Sequence, residues 1–208
     1  MIIMKLEKIP EEKAFEIIKK FFKIPKQYFC KNEKDFNKAI EKIKFPVYLK
    51  AIGKKIIHKT ELKAVILANN KEESFNAFKK LIKIKNCEKV LVQEAVKGIE
   101  LIVGVKQDQT FGHVIVLGLG GIFAEIIKDF SMRICPVTKS DVEEMISELK
   151  GKKIFEGYRN IKINKNELIQ SICKLSRSNI LKNIKEMDIN PLICNEKGCF
   201  AVDVRIFK

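Results

Sequence analysis

Glu186-Met187-Asp188-Ile189-Asn190-Pro191-Leu192-Ile193-Cys194, followed by Cys199-Phe200-Ala201-Val202-Asp203-Val204-Arg205, closes a chain of 208 residues. Both runs alternate apolar with polar or small residues, the period of half-buried strands. Asn195-Glu196-Lys197-Gly198 lies between them as a four-residue turn ending in glycine, a common hairpin length. Pairing outward from that turn sets Cys194 against Cys199, Leu192 against Ala201, Asn190 against Asp203 and Asp188 against Arg205. A regular hairpin sends all of these side chains to one face, and Ile189, Ile193, Phe200, Val202 and Val204 to the other. Directly opposed side chains sit about 5 Å apart. An amide and a carboxylate at that separation can share one magnesium ion, which takes oxygens at about 2.1 Å and keeps most of its water. Asn190 and Asp203 are therefore candidate metal ligands. The same residues also suit an ordinary polar face of a one-sided sheet, and the hairpin alone does not separate the two.

The length allows one large domain or two small lobes. A hydrophobic share of 46% with 32% charged residues is that of a globular chain. No apolar run reaches the roughly 20 residues of a membrane span. Met1-Ile2-Ile3-Met4-Lys5-Leu6-Glu7 is too short and too charged for a secretory signal, so a cytoplasmic protein is expected. The 6 cysteines and 2 histidines contain no Cys-x-x-Cys, which argues against structural zinc and for free thiols in a reducing compartment. Cys194 and Cys199 are set to meet across the hairpin and are expected to be reduced.

The formal charge of +15, from 41 basic and 26 acidic side chains, raises the question of nucleic acid. The lysines, however, are spread along every amphipathic segment and interleaved with glutamates. Aromatic residues do not alternate with basic ones as a base-stacking platform requires. A lysine-coated surface that favours anionic ligands such as nucleotides is the simpler reading.

Along the chain, Pro10-Glu11-Glu12 opens a helix with proline and acids in its first turn, and Asn32 and Asn70 precede two more. Phe45 to Ile52 and Ala64 to Ala68 read as strands, joined through the basic loop Gly53 to Glu61. Val90 to Glu94 and Glu100 to Val105 flank a short polar hinge at Val96-Lys97-Gly98, and His113 to Gly118 is a buried strand. Ser140-Asp141-Val142-Glu143 reads as a capping box, and the last long helix runs from Asn164 to about Leu181. This interleaving predicts an α+β chain with a break near Val96, dividing residues 1–95 from 96–208.

Several residues along this path suit chemistry. Lys50, on a strand, can grip nucleotide phosphates or snorkel at the surface. Glu94 at a strand end and Glu100 at a strand start can accept hydrogen bonds from a base or ribose. Gly118-Leu119-Gly120-Gly121 can present backbone N–H groups to an anion, or simply turn the chain; it matches neither a Walker pattern nor Gly-x-Gly-x-x-Gly. His58 sits among Lys54, Lys55 and Lys59, whose charge lowers an imidazole's pKa and keeps a neutral nitrogen available. It can equally be an incidental surface histidine. His113 opens an apolar strand and reads as structural.

Pro46-Val47-Tyr48-Leu49-Lys50, Ile57-His58-Lys59-Thr60, Gly98-Ile99-Glu100-Leu101-Ile102-Val103-Gly104-Val105, Phe111-Gly112-His113, Gly118-Leu119-Gly120-Gly121-Ile122-Phe123-Ala124-Glu125 and Met187-Asp188-Ile189-Asn190-Pro191 together resemble the β subunit of ADP-forming acetate–CoA ligase (acetyl-CoA synthetase). That family is ATP-grasp, akin to the nucleotide-binding part of succinyl-CoA synthetase, and the resemblance covers nearly the whole chain. It implies an ATP-grasp fold of two lobes holding a nucleotide between them, and a phosphohistidine relay that forms ATP from an acyl-CoA, ADP and phosphate. By motif, His58 is the phosphoryl acceptor, Lys50 meets the nucleotide phosphates, Glu94 lies at the adenine hinge and Glu100 near the nucleotide. Gly120 and Gly121 belong to the same nucleotide set. Asn190 and Asp203 match the Mg2+ ligands, while Asp188 is divided between metal and Arg205. ATP or ADP is the implied substrate. The implied partner is a separate CoA-binding α subunit, in a heterotetramer, since no CoA-binding domain is recognisable in the chain. The loop before His58 is more basic than the family's usual Ser-Pro-containing stretch, and Asn160 replaces a usual glycine beside Arg159. A nonenzymatic nucleotide- or RNA-binding module on the same fold is the alternative.

Overall fold

A computed structural model describes residues 6–53, 56, 62–121, 128–157 and 162–208. They fall into two compact units, one of Pro25–Val96 and one that joins the described residues up to Ile24 to Lys97–Lys208. The expected break near Val96 coincides with one boundary, but the first helix belongs with the C-terminal unit and not with residues 25–95. The cause is backbone pairing with the end of the chain. Glu7 and Lys208 exchange N–H···O bonds of 3.0 Å, and Ile9 N donates to Ile206 O at 2.8 Å. This pairing carries α1 (Glu11–Ile18) onto the last strand.

The Pro25–Val96 unit is an antiparallel sheet in the order β1 (Gln27–Cys30), β4 (Lys89–Glu94), β2 (Val47–Ile52), β3 (Val65–Ala68). The helices α2 (Glu33–Ile40) and α3 (Lys71–Leu81) cover one face. Each starts at an asparagine whose side-chain oxygen accepts an orphan N–H, from Asp35 at 3.0 Å and from Glu73 at 2.9 Å. Phe36 and Phe78 stack with ring centroids 4.7 Å apart and close over Val47, Leu49, Ala51, Val90 and Val92. Alternation then sends Tyr48, Lys50, Leu91 and Gln93 to the face away from the helices. The strand β1, which brings Gln27 beside Gln93, has too few residues for its alternation to stand out in the sequence.

In the second unit β10 (Val204–Phe207), β8 (Glu186–Asn195), β5 (Ile99–Asp108), β6 (Gly112–Leu119) and β7 (Phe130–Ile134) lie in that order, and β9 (Gly198–Ala201) extends the pairing on β8. Packed against these strands, α1 meets β10, α4 (Lys139–Glu148) meets β7, and α5 (Lys165–Ser176) meets β9 and α4. Leu101, Val103, Val105, Ile115, Leu117, Ile189 and Val204 are buried with Met145 and Leu168. The alternate residues of β5, Glu100, Ile102, Gly104 and Lys106, lie on an open face and are exposed or half-buried. No helix among the described residues is long and apolar enough to cross a membrane.

The closing hairpin keeps the expected register, with Cys194 against Cys199, Leu192 against Ala201 and Asp188 against Arg205. Its loop is tighter than four residues, because Asn195 already pairs with Gly198 and only Glu196 and Lys197 turn. Gly198, at φ +131°, has no room for a side chain against the Glu167 carboxylate and the Lys23 ammonium. The expectation of a single polar face fails at Asn190-Pro191. Between Leu101 and Val103 on β5, the opposing β8 residues run from Leu192 to Ile189. One extra residue reverses the alternation, as in a β-bulge. Leu192, Cys194, Cys199 and Ala201 therefore join Ile189 and Val204 in the core, all fully buried. Asp188 and Arg205 stay on the open face.

A second correction concerns α4, which is capped two residues earlier than Ser140, at Thr138. Thr138 Oγ1 accepts from Asp141 N at 3.3 Å while the Asp141 carboxylate accepts from Thr138 N at 2.7 Å. These bonds from Thr138 hold the Asp141 carboxyl below its ordinary 3.8. Such a group contributes stability above its unfolded pKa and loses it as pH falls through the lower folded value. Replacing Thr138 with Ala should cost about 1 kcal/mol at neutral pH. The gap from wild type should narrow as pH falls through that lowered folded value, as urea unfolding at neutral and acid pH would measure.

Candidate functional site

In the Pro25–Val96 unit Lys50 lies on the sheet face away from the helices. Lys50 pairs with Leu91 and Val65 across its neighbours and is only 6% exposed. Its Nζ donates to Gln93 Oε1 at 2.9 Å, and Gln93 Nε2 donates to Gln27 Oε1 at 2.6 Å. The sequence reading missed both glutamines, which look like ordinary solvated residues. Counting alternation from Lys50 finds Gln93, because the partner of Tyr48 shares the face of Lys50. Glu94 falls on the other face, opposite Val47, where its carboxylate accepts from Lys44 N at 3.0 Å. The structure therefore does not bring Glu94 together with Lys50.

In the second unit, Glu100 and the Gly120-Gly121 turn come together. Gly120 N donates to Glu100 O at 2.7 Å. A Cβ on Gly120 would lie 3.0 Å from Leu101 O, and one on Gly121, at φ +63°, would press on the Glu100 carboxylate. The close backbone approach favours glycine at 120, and the left-handed φ favours it at 121. The turn is anchored behind by Asp129, which is 5% exposed. Its two carboxylate oxygens accept from Lys150 N at 2.8 Å and Gly151 N at 2.9 Å.

Further along the open face lie the hairpin's polar residues. Asn190 N donates to Asp203 O at 3.1 Å, so the two residues oppose each other as the register requires, and both are half-buried. Alternation from Asp188 and from Arg205 places both side chains on the open face with Glu100. Burial pushes the Asp188 carboxyl above its ordinary 3.8, Arg205 opposes that rise, and Asp203 and Glu186 add to it. This unit thus offers amide and carboxylate oxygens in a field crowded with negative charge, a donor set suited to a hard cation such as magnesium. Among the described residues no cluster of three His, Cys, Asp or Glu could hold a metal.

His58 and its neighbours Lys54, Lys55 and Lys59 lie outside the described residues, as do Phe123 to Glu125 and Arg159. His113 is structural, with Nε2 3.0 Å from Ile184 O. It sits at the start of β6, at the far end of that strand from Gly118. Cys194 and Cys199 meet with Sγ atoms 2.8 Å apart as free, buried thiols. Burial above all raises the Cys194 thiol well beyond its usual range, which keeps it protonated and unreactive.

An α+β chain of this topology, with a buried strand lysine in one unit and a Glu, a diglycine turn and an Asn/Asp pair in the other, defines a nucleotide-handling class. The chain belongs to the ATP-grasp domain family, which it matches over residues 5–207. It is 39% identical over 94% of its length to an ADP-forming acetate–CoA ligase of Archaeoglobus fulgidus, of which it spans only 30%. It is 36% identical over 94% of its length to the β subunit of an ADP-forming acetate–CoA ligase of Pyrococcus furiosus, of which it spans 90%. Among solved structures it superposes on an acetyl-coenzyme A synthetase of Ca. Korarchaeum cryptofilum in complex with coenzyme A and Ca-AMPCP, with TM-score 0.89 and 31% identity. That match covers 96% of this chain and 93% of the other.

If Asn190 and Asp203 share a cation, Asp203→Asn should weaken Mg-ADP binding by at least about tenfold. Asp188→Asn should weaken it by less than about threefold, since Asp188 faces Arg205. Calorimetric titration of the two variants checks this, and equal losses would contradict it.

Proposed function

We propose that this chain is the nucleotide-binding β component of an ADP-forming acyl-CoA synthetase of the acetate–CoA ligase type. It would interconvert acyl-CoA, ADP and phosphate with acid, CoA and ATP, together with a separate CoA-binding α subunit, as a cytoplasmic heterotetramer. The observation that carries this reading is the near end-to-end correspondence with the Pyrococcus β subunit, 94% of this chain on 90% of the other.

In this reading the Lys50 ammonium neutralises nucleotide phosphate charge. Glu100 accepts hydrogen bonds from the nucleoside, and the backbone N–H of Gly121 stabilises developing negative charge. Asn190 and Asp203 would hold Mg2+, whose chemistry is to neutralise and align the phosphates. His58 supplies the nucleophile. Its neutral ring nitrogen attacks the γ-phosphorus, an N–P bond forms, the P–O bond to ADP breaks, and ADP leaves with the electron pair. The phosphoryl group then passes to the partner subunit. A relay of this kind is supported by the Korarchaeum synthetase solved with Mg-AMPPCP and its phosphohistidine segment pointing towards the nucleotide binding site, at TM-score 0.82 and 30% identity. The RNA-binding alternative gains nothing from the open face, where Glu100, Glu186, Asp188 and Asp203 outweigh Lys106 and Arg205.

Incubation with Mg-ATP should label the chain in an acid-labile, base-stable way, as phosphohistidine does. His58→Ala should abolish the label and change nucleotide binding by less than about 1 kcal/mol. His113→Ala should keep the label. Labelling that survives His58→Ala, or that falls on serine, would refute the relay.

A further inference from the structure

Three contacts that seat the diglycine turn pass through one residue, Asp129. Its backbone oxygen accepts from Leu119 N at 3.0 Å. Its carboxylate is nearly sealed from water, and the two oxygens accept from the consecutive N–H groups of Lys150 and Gly151 at 2.8 and 2.9 Å. Gly151 in turn is the surface on which Leu119 rests. A Cβ there would drive into Leu119 Cδ1, and Leu119 is itself buried. The main chain and the side chain of Leu119 are therefore both held by Asp129, one directly and one through Gly151. On the opposite side Gly120 N donates to Glu100 O at 2.7 Å. Gly121 follows at φ +63°, and among the described residues its N–H meets no acceptor.

The side-chain chemistry at 129 is specific to this task. Two successive N–H groups need two acceptors, and a carboxylate has two equivalent oxygens. An amide of the same shape would accept from one N–H and set its own NH2 against the other. Hydrogen bonds to an ionised acceptor are also the stronger kind, which offsets the cost of burying the charge. What they fix is backbone two residues from the Gly121 N–H. A donor lowers a barrier most when it is already in place, because no reorganisation is then needed as charge develops. We infer that Asp129 is the positioning residue of the turn, which through Leu119 and Gly151 holds the Gly121 N–H where the phosphates of the nucleotide meet it. This rests on the reading that gives that N–H to those phosphates.

The test uses the full 208-residue chain, titrated with Mg-ADP and, by competition, with adenosine, with thermal midpoints and the Gly121 amide followed by NMR. In wild type, Mg-ADP should move the Gly121 amide proton downfield and adenosine should not. Absence of that shift would remove the assignment of Gly121, and the inference with it. Asp129→Asn keeps the shape and breaks one bond. It should lower ADP affinity about fivefold, leave adenosine affinity at the wild-type value and shrink the ADP-induced shift. Gly151→Ala, which keeps the carboxylate but displaces Leu119, should do the same. Combined, the two should weaken ADP binding by less than the product of their separate losses, because both act on one clamp. Thr138→Ala, at the other end of α4 from Gly151, is the control. It should lower the midpoint and leave the ratio of ADP to adenosine affinity unchanged. With the wild-type shift present, a lowered midpoint and an unchanged ratio in both Asp129→Asn and Gly151→Ala would overturn the inference, since Asp129 would then hold the fold alone.

Discussion

The second unit depends on one irregularity, the paired break at Asn190-Pro191 and Val202-Asp203. Across it Asn190 N still donates to Asp203 O at 3.1 Å and Val202 N to Pro191 O at 3.3 Å, so the two arms of the hairpin stay in step. The arms together slip by one residue against β5. Without that slip, Leu192, Cys194, Cys199 and Ala201 would stand on the open face while Asp188 kept its place there. With it, all four are fully buried. For Leu192 alone that is a gain of roughly 1.5–3 kcal/mol over exposure. The hairpin thus completes the core at its tip and still presents acids and an amide at its base.

That division explains which parts could be read from the sequence. Hairpin pairing depends only on the midpoint of the loop, so the register survived even though two residues turn rather than four. The facing of the side chains depends on unbroken alternation, and the break spoiled it. Pro191 was the available signal, since a residue without an N–H inside a strand marks an edge or a bulge. The diglycine turn was legible for its glycines, but their local cause is the approach of Glu100 and the φ of Gly121, not a bound anion. Gln93 was hidden because a lone glutamine carries no pattern. Its role emerges only when β1, β4 and β2 are laid side by side.

Charge follows the same logic of placement over composition. A chain at +15 places Glu186, Asp188, Asp203 and Glu100 on one open face, together with Lys106 and Arg205. The Asp188 carboxyl is raised first by burial, which Arg205 opposes and Asp203 and Glu186 reinforce. In the other unit the buried Lys50 ammonium donates to an amide oxygen, that of Gln93.

If Asn190 and Asp203 hold the Mg2+ proposed for them, the break in the hairpin carries a cation site on the open face. Paramagnetic broadening by substoichiometric Mn2+ in the presence of ADP tests it directly on the whole chain, with the amides assigned by NMR. The account requires the earliest losses at Asp188 to Ile189 and Asp203 to Arg205, reaching the Gly120-Gly121 turn before the hairpin tip. Broadening centred on Cys194 to Cys199, or on the His113 end of β6, would contradict it.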